Sequence, residues 1–158
     1  MTDYRGLLET LEKGGVDFIL VGGLAATVHG SARLTQDVDV VYSRAPQNLT
    51  RLVAALGSIQ PYLRGAPPNL PFRWDEETMA KGLNFTLSTK LGDLDLLGEI
   101  AGGGTFEELA EHAVTVRLFG IEIRCLDLPT LIRVKRAAGR PQDLEVVAEL
   151  EALLEEGK

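Results

Sequence analysis

The sequence predicts an α/β (α+β) fold, a mixed central β-sheet flanked by helices. Three observations carry this reading. The stretch FILVGGLAATVHGSARLTQDVDVVY, residues 18–42, reads as strand, tight turn, short helix, polar loop and strand. Two further pairs of strand-like segments follow, at 84–97 and 114–126. Helical stripes open and close the chain. The 158 residues suffice for one core, and no linker or repeat divides them. The expected organisation is a single domain over 1–158, with a core of about 1–126 and a helical part of about 127–158.

Along the chain, Asp3 to Lys13 reads as an amphipathic helix with Tyr4, Leu7, Leu8 and Leu11 on one face, ended by Gly14-Gly15. Val16–Val21 is a strand. Leu24–His29 makes about two helical turns, with Gly30 as the stop and His29 as a capping residue. In Asp37-Val38-Asp39-Val40-Val41 charge alternates with β-branched residues, so Asp37 and Asp39 face one way. Pro46 is placed to start a helix carrying Leu49, Leu52, Val53 and Leu56. Ile59–Leu83, with four prolines, reads mainly as a long loop. Within it lie Arg64, Arg73, Phe72 and Trp74; the favoured role for Phe72 and Trp74 is to cover the sheet edge. Asn84–Thr89 and Asp93–Leu97 form a strand pair joined at Lys90-Leu91-Gly92. Thr105-Phe106-Glu107-Glu108 is a capping box opening a short helix to His112. Val114–Leu118 and Ile121–Leu126 form a hairpin. Asp127 begins a helix through Ala138, and Pro141 begins the last, with Leu144, Val147, Leu150 and Leu154 on its stripe.

Composition excludes several classes. No apolar run reaches the length of a membrane span, and the amphipathic, partly acidic N-terminus is unlike a secretory signal. One cysteine, Cys125, rules out an internal disulfide and reads as a small buried residue. The expected location is the cytoplasm. A net charge of −7 argues against a broad nucleic-acid-binding surface, although basic residues gather at 133–140. The triple glycine at 102–104 lacks the Lys-Ser/Thr ending of a P-loop.

The chemistry concentrates at Asp37 and Asp39. Two carboxylates side by side raise each other's pKa unless a cation intervenes, and Mg²⁺ prefers such hard oxygen ligands. Gly22 and Gly23 allow backbone N–H groups at a helix start to approach a phosphate. Farther on, Asp95 sits on a strand face, with Asp93 nearer the turn and read as solvated. Lys135 falls on the apolar face of its helix with Leu131 and Ile132, and either snorkels to water or enters a cleft. Asp143, as the third helical residue, either complements the helix dipole or serves the site. Arg140 pairs with Asp143 or lines the cleft.

Gly22-Gly23, thirteen residues, then Asp37-Val38-Asp39 resembles the signature of the polymerase β-like nucleotidyltransferase superfamily. The finer pattern, GGLA then HG, then Arg33, Thr35, Asp37 and Asp39, is similar to its small bacterial members, the abortive-infection (AbiEii-type) toxins and minimal nucleotidyltransferases of toxin–antitoxin pairs. KRAAGRPQDLEVV resembles their C-terminal motif. The resemblance implies transfer of a nucleoside monophosphate from an NTP, with Asp37, Asp39 and Asp95 holding two Mg²⁺ ions (or Mn²⁺) and Asp95 helping to deprotonate the acceptor. It further implies nucleotide binding by Gly22, Gly23, Ser31, Arg33, Thr35, Lys135 and Asp143, with Lys135 on the triphosphate, and it offers, as the less favoured role of the 59–83 loop, a border to the substrate groove with Trp74 stacking on a base and Arg73 near phosphates. The acceptor is open among tRNA, protein and small molecules. A partner protein or a homodimer completing the groove is a further expectation. The competing expectations are an inactive nucleotide-binding or regulatory module of the same fold, and another metal enzyme such as a glycosyltransferase. The short chain and the spacing of the paired glycines to the aspartates disfavour the glycosyltransferase.

Overall fold

The computed structural model describes residues 2–33 and 35–157. Its centre is a seven-stranded mixed sheet. The strands are β1 (Phe18–Val21), β2 (Asp37–Tyr42), β3 (Tyr62–Leu63), β4 (Phe85–Thr89), β5 (Gly92–Leu97), β8 (Ala113–Leu118) and β9 (Ile121–Leu126). Their spatial order is β3-β4-β5-β2-β1-β9-β8. β2 lies at the middle, antiparallel to β1 and parallel to β5. Its even residues explain that position: Val38 and Val40, with Leu94 and Leu96 beside them on β5, are fully buried. Period-2 alternation therefore turns Asp37, Asp39 and Asp95 to the opposite face. The parallel register sets Asp37 beside Asp93 and Asp39 beside Asp95.

Helices α1 (Tyr4–Lys13) and α3 (Pro46–Leu56) pack on each other, and α3 carries α4 (Glu76–Lys81). α2 (Gly22–Val28) packs on α6 (Leu128–Ala138), and α6 on α7 (Pro141–Glu156). Leu7, Leu8 and Leu11 of α1 are fully buried, as the stripe predicts. Two short strands, β6 (Glu99–Ile100) and β7 (Gly104–Thr105), form a separate hairpin. The expected capping box at Thr105 is present, but α5 covers only Phe106–Leu109 before a 3-10 turn to His112.

Four readings change. The segment 59–83 is less of a loop than its prolines suggest: it holds β3 and α4, the latter capped by Asp75, whose side chain accepts from the Thr78 N–H at 2.8 Å. Trp74 belongs to this structured cover, with Nε1 donating to the Val53 carbonyl at 3.0 Å, while Phe72 meets Tyr62 edge-on at 5.9 Å. β1 begins at Phe18 instead of Val16, and α2 begins at Gly22 itself instead of Leu24. Leu144 does not belong to the α7 stripe; it is 49% exposed, while Asp143, Val147 and Leu150 take the buried face. Asp143, the residue before Leu144, is turned inward with Val147 and Leu150 and pairs with Lys135 and Arg140. Among the described residues, no helix is long and apolar enough to cross a membrane.

Candidate active site

Asp37 and Asp39 leave the central strand β2 on the same face, and Asp95 joins them from β5. One carboxylate oxygen from each lies within 4.8 Å of the others, the one such cluster of potential metal ligands among the described residues. Asp39 suffers most from this crowding. Burial first, then the charges of Asp37 and Asp95, push its carboxyl up to about 8. Lys135 opposes the shift without cancelling it.

The paired glycines have a structural reason visible here. Gly22 takes a positive φ of 73°, and a Cβ there would lie 2.8 Å from Asp39 Cγ and closer still to its Oδ2. A Cβ at Gly23 would lie 2.8 Å from Thr35 Oγ1. Both glycines thus make room for the metal strand and its preceding loop. No side chain caps the α2 N-terminus that they open.

The cluster lies in the wall of a cavity of about 630 Å³. Gly23, Ser31, Arg33, Thr35, Lys135 and Asp143 line it with the three aspartates, so the fold brings these predicted residues together. Gly22 lines an adjoining, more apolar cavity of about 300 Å³ that shares Asp39, Asp95 and Lys135. Thr35 Oγ1 lies 3.4 Å from Asp37 Oδ1, bracing that carboxylate. Ser31 and Arg33 are held from α7: Ser31 Oγ donates to Glu149 at 2.6 Å, and Arg33 pairs with Glu145 at 3.4 Å and Glu149 at 3.7 Å. Their polar atoms are already partnered by protein, which their loop position alone does not suggest.

Lys135 enters the cleft instead of snorkelling outward. Its side chain is 16% exposed and its Nζ lies 3.5 Å from Asp143 Oδ1. Asp143, 2% exposed, also accepts from Arg140 Nε at 2.6 Å. These hydrogen bonds and charges hold the Asp143 carboxyl below the usual carboxylate range. Arg140 therefore does both things open to it, pairing with Asp143 and lining the cavity. His29 ends α2, its N–H bonding to the Ala25 and Ala26 carbonyls, and its ring Nε2 lies 2.7 Å from the Leu126 carbonyl. Cys125 is buried and its thiol is pushed up to about 12 by burial, so it stays protonated. Arg73 is exposed and does not line either cavity.

Sequence reasoning named Arg64 without assigning it a role, and missed Glu145 and Glu149. Arg64 reaches the aspartates from the sheet edge, with Nη2 2.7 Å from Asp95 Oδ1 and Nε 3.4 Å from Asp93 Oδ1. Asp93 is thereby more than a solvated turn residue, since Ser88 Oγ also lies 3.4 Å from it. A two-residue strand offers no periodicity to read, and the α7 glutamates sit in a run whose acidity looks like ordinary solvated surface.

The likeness to solved structures agrees with this arrangement. The lincosamide antibiotic adenylyltransferase LnuA, in its lincomycin-bound structure, aligns over 96% of this chain and 98% of its own at a TM-score of 0.63 and 14% identity. ANT(2")-Ia in complex with adenylyl-2"-tobramycin aligns over 93% and 90% at 0.53 and 12%. An antigenic nucleotidyltransferase-like protein from Paracoccidioides brasiliensis aligns over 94% and 72% at 0.53 and 13%. At such identities the likeness establishes a nucleotidyltransferase fold. No curated protein matches the chain. The family model described as nucleotidyl transferase AbiEii toxin, type IV toxin–antitoxin system, matches residues 6–138. That span holds the paired glycines, all three clustered aspartates and Lys135, and the chain belongs to the AbiEii nucleotidyltransferase toxin family.

Proposed function

We propose that this protein is a divalent-metal-dependent nucleotidyltransferase that moves a nucleoside monophosphate from an NTP to an acceptor, acting as the toxin of a toxin–antitoxin pair. The observation that carries this is the three-aspartate cluster at the wall of a cavity that also receives Lys135. The donor set is all carboxylate oxygen, which suits Mg²⁺, or Mn²⁺ in its place. Asp37, Asp39 and Asp95 would hold two such ions, and their charge at the transferring phosphoryl group and leaving oxygen is what a divalent cation supplies.

The chain's own groups then divide the work. The acceptor oxygen attacks the α-phosphorus, the bond to the bridging oxygen breaks, and pyrophosphate leaves. Asp95 takes the acceptor's proton. Lys135, held by Asp143, and the amides of Gly22 and Gly23 at the uncapped start of α2 bind the phosphates of the leaving side. Ser31, Arg33 and Thr35 form the wall opposite, anchored by Glu149 and braced on Asp37. The core up to residue 126 supplies the metal strands, and α6 and α7 close the cleft over it within one domain. The reaction belongs in the cytoplasm, where NTP is supplied.

The acceptor is either a small molecule or a macromolecule. The LnuA and ANT(2")-Ia structures contain an antibiotic and an adenylylated antibiotic, and the likeness spans nearly all of this chain. A tRNA end or a protein, reached through a groove completed by a partner protein or a second copy, is the alternative. A non-catalytic nucleotide-binding module is the second functional reading, favoured by the ion pair between Arg64 and Asp95. Calorimetry of NTP binding with Mg²⁺, on wild type and on D37A/D39A, tests the site. Metal-dependent binding that the double variant loses supports it, and pyrophosphate release on adding an acceptor separates enzyme from module. Absence of NTP binding by the wild type refutes both readings.

A further inference from the structure

Arg64 follows β3, and its N–H donates to the Thr86 carbonyl at 3.0 Å, so the edge hairpin fixes its backbone. From there its side chain crosses β4, where Nη2 donates to the Leu87 carbonyl at 2.8 Å. The guanidinium ends among the carboxylates: Asp95 Oδ1 at 2.7 Å, Asp93 Oδ1 at 3.4 Å and Asp37 Oδ2 at 3.8 Å. Four aspartates occupy two alternate rungs of the β2–β5 pair, on one face of the sheet, Asp37 beside Asp93 and Asp39 beside Asp95. Like charges directly opposite on neighbouring strands repel. Lys135 comes from α6 and bears on Asp39 and Asp143. Among the described residues, Arg64 is the cation with ion pairs to the other three.

Its geometry is that of a spread counter-charge. An arginine built to orient one carboxylate takes it with two parallel N–H bonds. Here one oxygen of Asp95 is held closely, Asp93 and Asp37 lie at longer range, and the buried Nε finds no hydrogen bond. The side chain is 27% exposed, so the cleft offers it room to leave.

We propose that Arg64 is a tethered counter-cation for the metal-free site. It neutralises Asp95, Asp93 and Asp37 while no divalent ion is bound, and it surrenders Asp95 and Asp37 when one binds, so ion binding on the Asp95 side is a competition with Arg64. The proposal rests on the metal-dependent reading above and adds a regulation to it: the Asp95 side fills less readily than the Asp37–Asp39 pair.

Mn²⁺ titration of the nucleotide-free protein, with free ion counted by electron paramagnetic resonance, tests this on wild type, Arg64→Gln and Arg64→Lys. R64Q is expected to bind Mn²⁺ about tenfold more tightly than wild type, because a positive charge within a few ångströms is gone. R64K keeps the charge and is expected within about threefold of wild type. Equal or weaker binding by R64Q overturns the proposal, because an arginine that only orients Asp95 for the ion would strengthen binding. If R64Q does not fold, the wild type answers alone. The Arg64 Nε–H resonance, assigned by its loss in R64K, is expected to shift on saturation with Mg²⁺; an unmoved resonance overturns the proposal. Neither readout needs turnover, so an inactive protein leaves the test intact. Absence of divalent binding by both wild type and R64Q sinks the metal reading and this proposal together.

Discussion

Asp39 and Asp143 line the same cavity, yet their carboxyls are driven in opposite directions. Asp39 stands among other aspartates on a sheet, and burial with like charge raises it to about 8. Asp143 stands at a helix start between Lys135 and Arg140, and those partners lower it despite its burial. Burial penalises a charge in both places, and the neighbours decide which side wins. The sheet half of the site is built to need a cation that the chain supplies only in part. The helical half is electrostatically complete, which is what a part that positions Lys135 requires.

The largest expected effect comes from removing the sheet half's charge. Asp39→Asn is expected to lower nucleotidyl transfer on the order of a thousandfold, read as pyrophosphate release. The same change is expected to stabilise the metal-free fold by on the order of 1–3 kcal/mol at neutral pH, read by urea denaturation. A loss of metal-free stability in D39N would break the comparison.

On the helical side the sign reverses. Asp143→Asn leaves Lys135 without its anion in a nearly closed position and is expected to cost about 2 kcal/mol of stability. A neutral or stabilising D143N would mean that the cluster carries no net charge pairing. Gly22→Ala is expected to cost about 2 kcal/mol, from strain at a positive φ and from pushing the Asp39 carboxylate aside. It should weaken divalent-ion binding as well, which separates it from a purely structural lesion.

The two halves also titrate apart. Asp39 has its folded pKa raised above the ordinary 3.8, so the folded state binds the extra proton. Metal-free stability attributable to it therefore falls as pH rises from about 4 toward about 8 and then levels off. Asp143 has its folded pKa lowered, so its contribution is present above the ordinary value and is lost as pH falls through the depressed one. Thermal melts from pH 3 to 9 read both limbs, and saturating Mg²⁺ is expected to flatten the upper one. The smallest effect is expected at Glu149→Gln. Its half-buried carboxylate accepts from Ser31 and from the Ala32 N–H at 3.0 Å. Amide exchange at Ala32 is expected to quicken by no more than about tenfold while the melting temperature barely moves.

How much of this was legible beforehand depends on range along the chain. The spacing of Gly22 and Gly23 from Asp37 and Asp39 is a local pattern, and alternation within β2 tells which face the two aspartates share. Asp95 was legible for the same reason, as a carboxylate alternating with Leu94 and Leu96. Lys135 showed itself as a charge out of place on an apolar helix face. Each of these signals is read within one short stretch of chain, where backbone geometry fixes which side chains are neighbours.

Arg64, Glu145, Glu149 and the exposure of Leu144 carried no such signal. Arg64 meets Asp95 across 31 positions, and Ser31 meets Glu149 across 118. Those meetings depend on which strand sits at the sheet edge and how far α7 rotates on α6, and no local periodicity encodes either. The sequence by itself determined the six longer strands of the sheet, the faces of their aspartates and the family to which the chain belongs, because those follow from short-range covalent geometry and spacing. Only the tertiary structure decided which cation answers which carboxylate, because charges interact through space, and the chain's path alone says where Arg64, Lys135 and Arg140 end.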